Sequence, residues 1–477
     1  MLNAVYDASP RWLQTVMMNV FAWRKIRLRY VGRYREFLDE LMRMQWADAE
    51  SLLRWQLRRF AEIFTEARRH VPYWRDLFRE HDFDPAKIES FQELRRLPVL
   101  EKAQLRADPK AFINPTRKAV YVMRTSGTTG APMSTPYCKD SLQWTSALMG
   151  RFYRSAGVTP KDRSIHLSMR KIVPHSDQEV PWRRNYVDNS LWFSLLHLKE
   201  ENLPVFFEAM CDFRPLYLTG LPTFIGEIAR WVNANGLAGR LRLAAVFTTS
   251  ETLTPNLRES IETAFATRAY DQYGATEGAL IVAQCPLGTY HVVPEAGVVE
   301  LVRPDGTPAE PGEPAEMIVT SLRNWSRPVL RYRILDTAVG GAGRCPCGRA
   351  WPVLEQLTGR RGEWVVTRDG RRISMFSHQV FRVSDNVEES QIIQHAPGRF
   401  EVRIVKSPRF GPRDERVIRD RIREILGHPA EIHMEYVDSI PRTTGGKRPS
   451  VISHVAEARD PFSQRRQDEA EAEGKEK

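Results

Sequence analysis

Arg124-Thr-Ser-Gly-Thr-Thr-Gly-Ala-Pro132 sets glycines and small hydroxyl residues directly after an apolar, strand-like run, Val120-Tyr-Val-Met123. Gly127 and Gly130 let the main chain approach a ligand closely, while Ser126, Thr128 and Thr129 add hydroxyl donors to the backbone N–H groups. An anionic phosphate chain suits such a loop; a plain Ser/Thr/Gly turn is the alternative. It is not a Walker A loop, because no Lys follows Gly130. A second group of residues carries metal chemistry. Cys345-Pro-Cys347 brings two soft ligands together, and Cys285 with His291 adds a Cys-x5-His pair, so the four could close a tetrahedral zinc site. Unrelated buried thiols are the other reading, and Cys138 and Cys211 read as core. Ser126 or Ser250 with His291 makes no hydrolase triad, for want of a nucleophile-elbow pattern.

The glycine-rich stretch resembles the phosphate loop of adenylate-forming enzymes, the superfamily of acyl-CoA ligases, luciferases and peptide-synthetase adenylation domains. The resemblance gives Thr125, Ser126, Gly127, Thr128, Thr129 and Gly130 the role of holding phosphates. About 140 residues later Tyr270-Asp-Gln-Tyr-Gly-Ala-Thr-Glu277 resembles the superfamily's Tyr-Gly-x-Thr-Glu. It implies that Tyr273, beside Gly274, packs on adenine, that Thr276 contacts the α-phosphate and that Glu277 holds Mg²⁺. A flat amphipathic ring suits a purine and a hard carboxylate suits Mg²⁺. Arg331-Tyr-Arg-Ile-Leu-Asp336 is similar to Tyr-Arg-Thr-Gly-Asp, with Ile334-Leu335 in place of Thr-Gly. Asp336 would then take both ribose hydroxyls.

Leu357-Thr-Gly-Arg360 resembles the next element, in which an arginine, here Arg360, lies near the nucleotide and a hinge follows, here around Gly362. Ile440-Pro-Arg-Thr-Thr-Gly-Gly-Lys447 is similar to the terminal Pro-Arg-Thr-x-x-Gly-Lys. Its lysine, Lys447, would meet the charge that builds as a carboxylate attacks the α-phosphate. His70-Val-Pro-Tyr-Trp74 and Leu97-Pro-Val-Leu-Glu-Lys102 look like the entry of the phenylacetate-CoA ligase and CapK-like branch, some members of which carry cysteines at places similar to those here.

The resemblance implies an enzyme that turns a carboxylic acid into an acyl adenylate with ATP and Mg²⁺, then passes the acyl group to coenzyme A. Zn²⁺ is the metal the cysteines would suit. Transfer to a carrier-protein thiol, an amine or a hydroxyl is the first rival. A non-catalytic nucleotide-binding protein is the second, and retention of Glu277, Asp336 and Lys447 argues against it. The acid is not legible, since its pocket is built from scattered side chains; a carrier protein or a homodimer stays open.

The elements that must position these residues follow from periodicity. The 477 residues, 42% apolar, have material for about three average domains. A formal charge of +11 and a pI near 9.5 raise nucleic acid, a membrane surface or a polyanionic cofactor as partners, but no nucleic-acid motif follows. Five cysteines with no secretory signal favour a reducing, cytoplasmic setting, and the apolar runs fall short of a transmembrane segment. Residues 1–95 read as a helical extension with Leu53, Leu57, Phe60 and Phe64 at helical spacing. Within it, residues 23–33 are basic enough to touch acidic lipid headgroups, or form a surface helix with solvated arginines. The fold expected is α/β: a large layered N-terminal domain, residues 1–358, with the helical extension and a small β subdomain from Gly297. A small mobile α+β C-terminal domain follows over 359–456, then a disordered charged tail over 457–477.

Overall fold

The computed structural model describes residues 2–124, 133–168, 172–174, 177, 179–251, 253–303, 305–360, 365–368, 372–373, 376–381, 383–384, 386–441 and 448–455. Five helices open the chain: α1 (Leu2–Ala8), α2 (Arg11–Tyr30), α3 (Tyr34–Met44), α4 (Ala49–His70) and α5 (Pro72–Glu80). Asp48 caps α4 by accepting from the Ser51 N–H at 2.8 Å. Val71, held extended ahead of a proline, ends α4, and Pro72 opens α5 where no N–H is required. The buried stripe of α4 is Phe60, Ile63, Phe64 and Ala67; Leu53, expected on it, is 40% exposed.

After α6 (Lys102–Ala107), the hairpin β1 (Tyr121–Arg124) and β2 (Ser134–Tyr137) leads into α7 (Lys139–Ser155). The large sheet is then laid down by β3 (Ser164–Ser168), β4 (Trp182–Asn185), β5 (Ser190–Ser194), β6 (Tyr217–Gly220), β7 (Ala245–Thr249) and β8 (Ala269–Gly274). Helices α8 (Leu203–Phe213), α9 (Pro222–Ala234) and α10 (Pro255–Phe265) make the crossovers. The strands β8, β7, β6, β3 and β5 run parallel in that spatial order. Alternate residues face opposite layers. Leu218 and Val246 pack with Phe206, Ile225 and Ile261 of the crossover helices, while Tyr217 and Phe247 pack with Leu41 and Trp144 of α3 and α7.

The sheet continues antiparallel through β9 (Ile281–Gln284), β10 (Tyr290–Val292), β11 (Gly297–Val302), β12 (Pro314–Ser321), β13 (Tyr332–Gly340) and β14 (Val353–Arg360). Among the described residues twelve strands share it, in the order β11-β12-β13-β14-β10-β9-β8-β7-β6-β3-β5-β4. The small β region expected from Gly297 is thus the antiparallel arm of one sheet, covered by Phe60 of α4 and Trp74 of α5 over Met317, Val319 and Tyr332. At the opposite edge β4 pairs with β5 alone among the described strands. Asn19 of α2 meets its outer side: Nδ2 donates to Arg184 O at 2.9 Å and Oδ1 accepts from Tyr186 N at 2.7 Å. A side-chain amide stands there in place of one peptide of a neighbouring strand.

The C-terminal residues build a separate core. Short strands β15 (Val365–Val366) and β16 (Arg372–Ile373) and helix α11 (Phe376–Phe381) precede β17 (Val387–Ala396) and β18 (Arg399–Lys406). Helix α12 (Pro412–Leu426), then β19 (Glu431–Tyr436) and β20 (Val451–Ser453), complete a four-stranded sheet ordered β19-β18-β17-β20. Phe376, Phe400, Val402, Ile418 and Ile422 fill the space between sheet and helices. Ion pairs join this unit to α9: Arg230 reaches Glu388 at 3.6 Å and Glu389 at 3.3 Å, and Arg448 reaches Glu227 at 2.9 Å and also Glu389.

Candidate active site and metal centre

Ligands of parallel sheets lie beyond the carboxyl ends of the strands, and β8 ends there on Tyr273-Gly274. The Tyr273 hydroxyl donates to Asp336 Oδ2 at 2.5 Å, so two residues 63 positions apart in sequence meet at one point. A bulge aims Asp336. Glu316 of β12 pairs with Thr337 and Ile318 with Arg333, which leaves residues 334–336 bulged out of the pairing with β12. Leu335 takes φ +64 at the apex, the backbone conformation that suits the glycine of the resembled Tyr-Arg-Thr-Gly-Asp string. For a leucine this conformation costs on the order of 1–2 kcal/mol. On β14, Arg360 is the backbone partner of Asp336, so these two are also brought together in register.

Thr276 and Glu277 lie in the turn between β8 and β9. The Tyr137 hydroxyl of β2 donates to Thr276 O at 3.0 Å, tying this turn to the hairpin that carries the glycine-rich stretch. Gly278, at φ +81, must be glycine: a Cβ would stand 2.6 Å from that same hydroxyl. Gly278 O accepts from Ser321 Oγ and from Arg323 Nε, each at 2.9 Å. Glu277 is 8% exposed, with the Tyr332 hydroxyl 3.5 Å from its Oε1. Burial pushes its carboxyl above the ordinary range and Asp336 pushes the same way, against the pull of Arg327 and Lys102. A divalent cation would reverse that balance, so the buried hard carboxylate fits Mg²⁺. Arg327 donates to Ser134 O at 2.9 Å and Thr135 Oγ1 at 2.6 Å, anchoring the strand that follows the glycine-rich stretch.

Thr125, Ser126, Gly127, Thr128, Thr129 and Gly130, the hinge glycine Gly362, Lys447 and the charged tail lie outside the described residues. The ends of the glycine-rich stretch are fixed by the pairing of Arg124 with Ser134. Sequence reasoning passed over Tyr137, Arg323, Arg327 and Tyr332, although Tyr332 stands inside the Arg331–Asp336 string. It also passed over Asp271, two residues before Tyr273, which accepts from Thr248 Oγ1 at 2.6 Å and Tyr290 Oη at 2.7 Å. Burial pushes the Asp271 carboxyl up to about 6, and the contacts brace β8 against β7 and β10.

The second cluster sits at the other end of β9. Gly274 pairs with Ile281, and Cys285 follows four residues on, so the thiol is roughly 13 Å along the strand from the nucleotide turn. The ligand atoms of Cys285, His291, Cys345 and Cys347 all lie within 4.8 Å of one another. Cys285 Sγ is 3.8 Å from Cys345 Sγ, and Cys347 Sγ is 3.5 Å from His291 Nε2. A tetrahedral ion with bonds of about 2.3 Å spaces its ligands by about 3.8 Å, so these separations fit zinc. His291 Nδ1 faces Trp351 O at 3.4 Å, which leaves Nε2 for the metal, and burial keeps the ring below its usual pKa and so neutral.

Residues 365–454 match the family model described as the CapK C-terminal domain. Over 464 residues the chain is 26% identical to Protein CapK of Staphylococcus aureus, spanning 95% of this chain and 100% of that one. It is 23% identical over 429 residues to phenylacetate-coenzyme A ligase of Escherichia coli (strain K12), spanning 84% and 95%. A crystal structure of 2-hydroxyisobutyryl-CoA ligase in the postadenylation state, in complex with R3-HIB-AMP, aligns with a TM-score of 0.69 at 19% identity, over 89% of this chain and 94% of that one. The fold is that of the adenylate-forming ligases. Among proteins of that fold, the relatives it resembles in sequence are CapK and phenylacetate-CoA ligases.

Proposed function

We propose that the protein activates a carboxylic acid with ATP, releasing pyrophosphate and holding an acyl adenylate, and then transfers the acyl group to coenzyme A. The observation that carries this reading is the meeting of Tyr273, Asp336 and the Thr276–Glu277 turn at the carboxyl end of β8. Tyr273 is the adenine platform, Asp336 the ribose acceptor, and Thr276 the contact to the α-phosphate. Residues 125–130 hold the phosphate chain, and Arg360 lies beside the nucleotide. Glu277 would hold Mg²⁺, which supplies charge neutralisation between phosphates. Lys447 meets the charge that develops on the α-phosphate oxygens as the carboxylate attacks. Cys285, His291, Cys345 and Cys347 form the ligand set of a structural zinc ion. Residues 1–358 act as the nucleotide-binding domain and residues 359–456 as a domain that turns about Gly362, because Lys447 must leave the adenylate before an acceptor thiol arrives.

Pyrophosphate release across a panel of carboxylic acids tests the first half-reaction, with coenzyme A, a carrier-protein thiol and simple amines supplied as acceptors in the second. Lys447→Ala should lose adenylate formation a hundredfold or more, about 3 kcal/mol, while keeping ATP binding and transfer from a supplied acyl adenylate. Equal loss in both half-reactions would remove the lysine from this role, and no pyrophosphate from any acid would remove the activity.

A further inference from the structure

Helix α2 leaves a stripe of large apolar side chains exposed. Ala22 and Gln14 are its buried residues, and polar contacts fix it to the sheet. Gln14, 3% exposed, accepts from Arg183 Nε at 3.0 Å and Nη2 at 2.6 Å; Asn19 binds β4 as described; and Lys25 lies over the Trp192 ring at 5.8 Å. Its outer side is apolar: Trp12 is 67% exposed, Val16 49%, Val20 61% and Trp23 52%, and Arg27 joins them. At about 100° per residue these five fall within a sector of about 80°, on a helix about 30 Å long. The solvent-facing side of such a helix is ordinarily charged or polar.

Charge says what covers this face. Residues 11–35 hold seven Arg or Lys and no Asp or Glu. The exposed Arg24 and Arg27 stand at the end of the apolar stripe, with the Arg27 guanidinium 4.8 Å from the Trp23 ring centroid. Tryptophans beside arginines on one helical face are the composition of a helix that lies flat in the boundary between headgroups and acyl chains. No helix among the described residues is long and apolar enough to cross a membrane, so the contact is with a surface. We infer that the outer face of α2 docks the protein on an anionic phospholipid bilayer, with Trp12, Val16, Val20 and Trp23 entering the interface and Arg24 and Arg27 meeting the headgroups. None of these residues belongs to the nucleotide site or the cysteine cluster, so the inference is independent of the proposed activity.

Co-sedimentation of the full chain with phosphatidylcholine vesicles, with and without phosphatidylglycerol, tests it. Binding should require the anionic lipid and weaken on raising salt from 0.05 M to about 0.5 M, because headgroup attraction is screened. Trp12→Ser/Trp23→Ser and, separately, Arg24→Glu/Arg27→Glu should each lower vesicle affinity about tenfold or more, with an unchanged melting temperature. The charge pair keeps the test open should the tryptophan pair fold poorly. Tryptophan emission of the wild-type protein should shift to the blue with anionic vesicles and not with neutral ones. Absence of binding to anionic vesicles, or binding that both pairs leave intact, overturns the inference. So does a dimer by sedimentation velocity that the same substitutions dissolve, since a second copy would then be the occupant.

Discussion

Tyr273 and Asp336 share a short hydrogen bond, so the ring proposed for adenine and the carboxylate proposed for ribose position each other. Single strings revealed both residues, because each sits in a local pattern of distinctive composition. What no local pattern could reveal is who holds them. Tyr137 reaches Thr276 across 139 positions and Tyr332 reaches Glu277 across 55, and such pairs are contacts of the fold. Leu335 is a different case: read as text, it is a departure from the resembled string, whereas in space it adopts the glycine-like conformation and keeps the bulge that aims Asp336. The three cysteines and His291 were legible as one candidate ligand set, and the fold brings them together although Cys285 and Cys345 are 60 positions apart. Metal analysis of protein purified without added zinc should give about one equivalent. Cys347→Ser should lower both metal content and melting temperature, as ligand loss uncouples metal binding from folding. Metal-free protein of unchanged stability would leave these four as ordinary core residues.

At the scale of elements, helical periodicity marked the N-terminal helices but misphased α4, because Leu53 continues the spacing of the apolar residues without facing the core. The strands from Gly297 read as a group of their own because they are short and divided by turns. Their membership of the large sheet depends on β10 pairing with both β9 and β14, which periodicity does not encode. The element with the most direct bearing on turnover is the ion cluster on α9. Arg448, next in sequence to Lys447, bridges Glu227 of α9 and Glu389 of β17, and Arg230 of α9 reaches Glu389 as well. Two guanidiniums around one half-buried carboxylate hold the C-terminal unit in one orientation, worth roughly 1–3 kcal/mol for a partly buried network. Arg448→Ala should change the ratio of adenylation to acyl transfer by about threefold or more, read by assaying the two half-reactions separately. A parallel change in both rates would mean that the cluster stabilises the fold without favouring an orientation.

Across the whole molecule, one sheet runs from the antiparallel arm that carries Asp336 and the cysteine cluster to a lone antiparallel strand, β4, at the far edge. The architecture was legible as layered α/β because strands and crossover helices alternate in the sequence. The strand order was not, since β3 lies between β5 and β6, and β14 between β13 and β10, through contacts that no periodicity records. The edge itself has a consequence for the protein in solution. A strand margin without a strand partner among the described residues invites the same margin of another molecule, and two twelve-stranded sheets joined along it would close as a dimer. The single Asn19 amide blocks that route by engaging Arg184 O and Tyr186 N, beside a Tyr186 side chain that is 72% exposed. Asn19→Ala should therefore leave secondary structure unchanged at low concentration yet associate into dimers as concentration rises, read by sedimentation velocity. A variant that stays monomeric at every concentration would show that the bulk of α2, rather than its one amide, is what keeps these molecules apart.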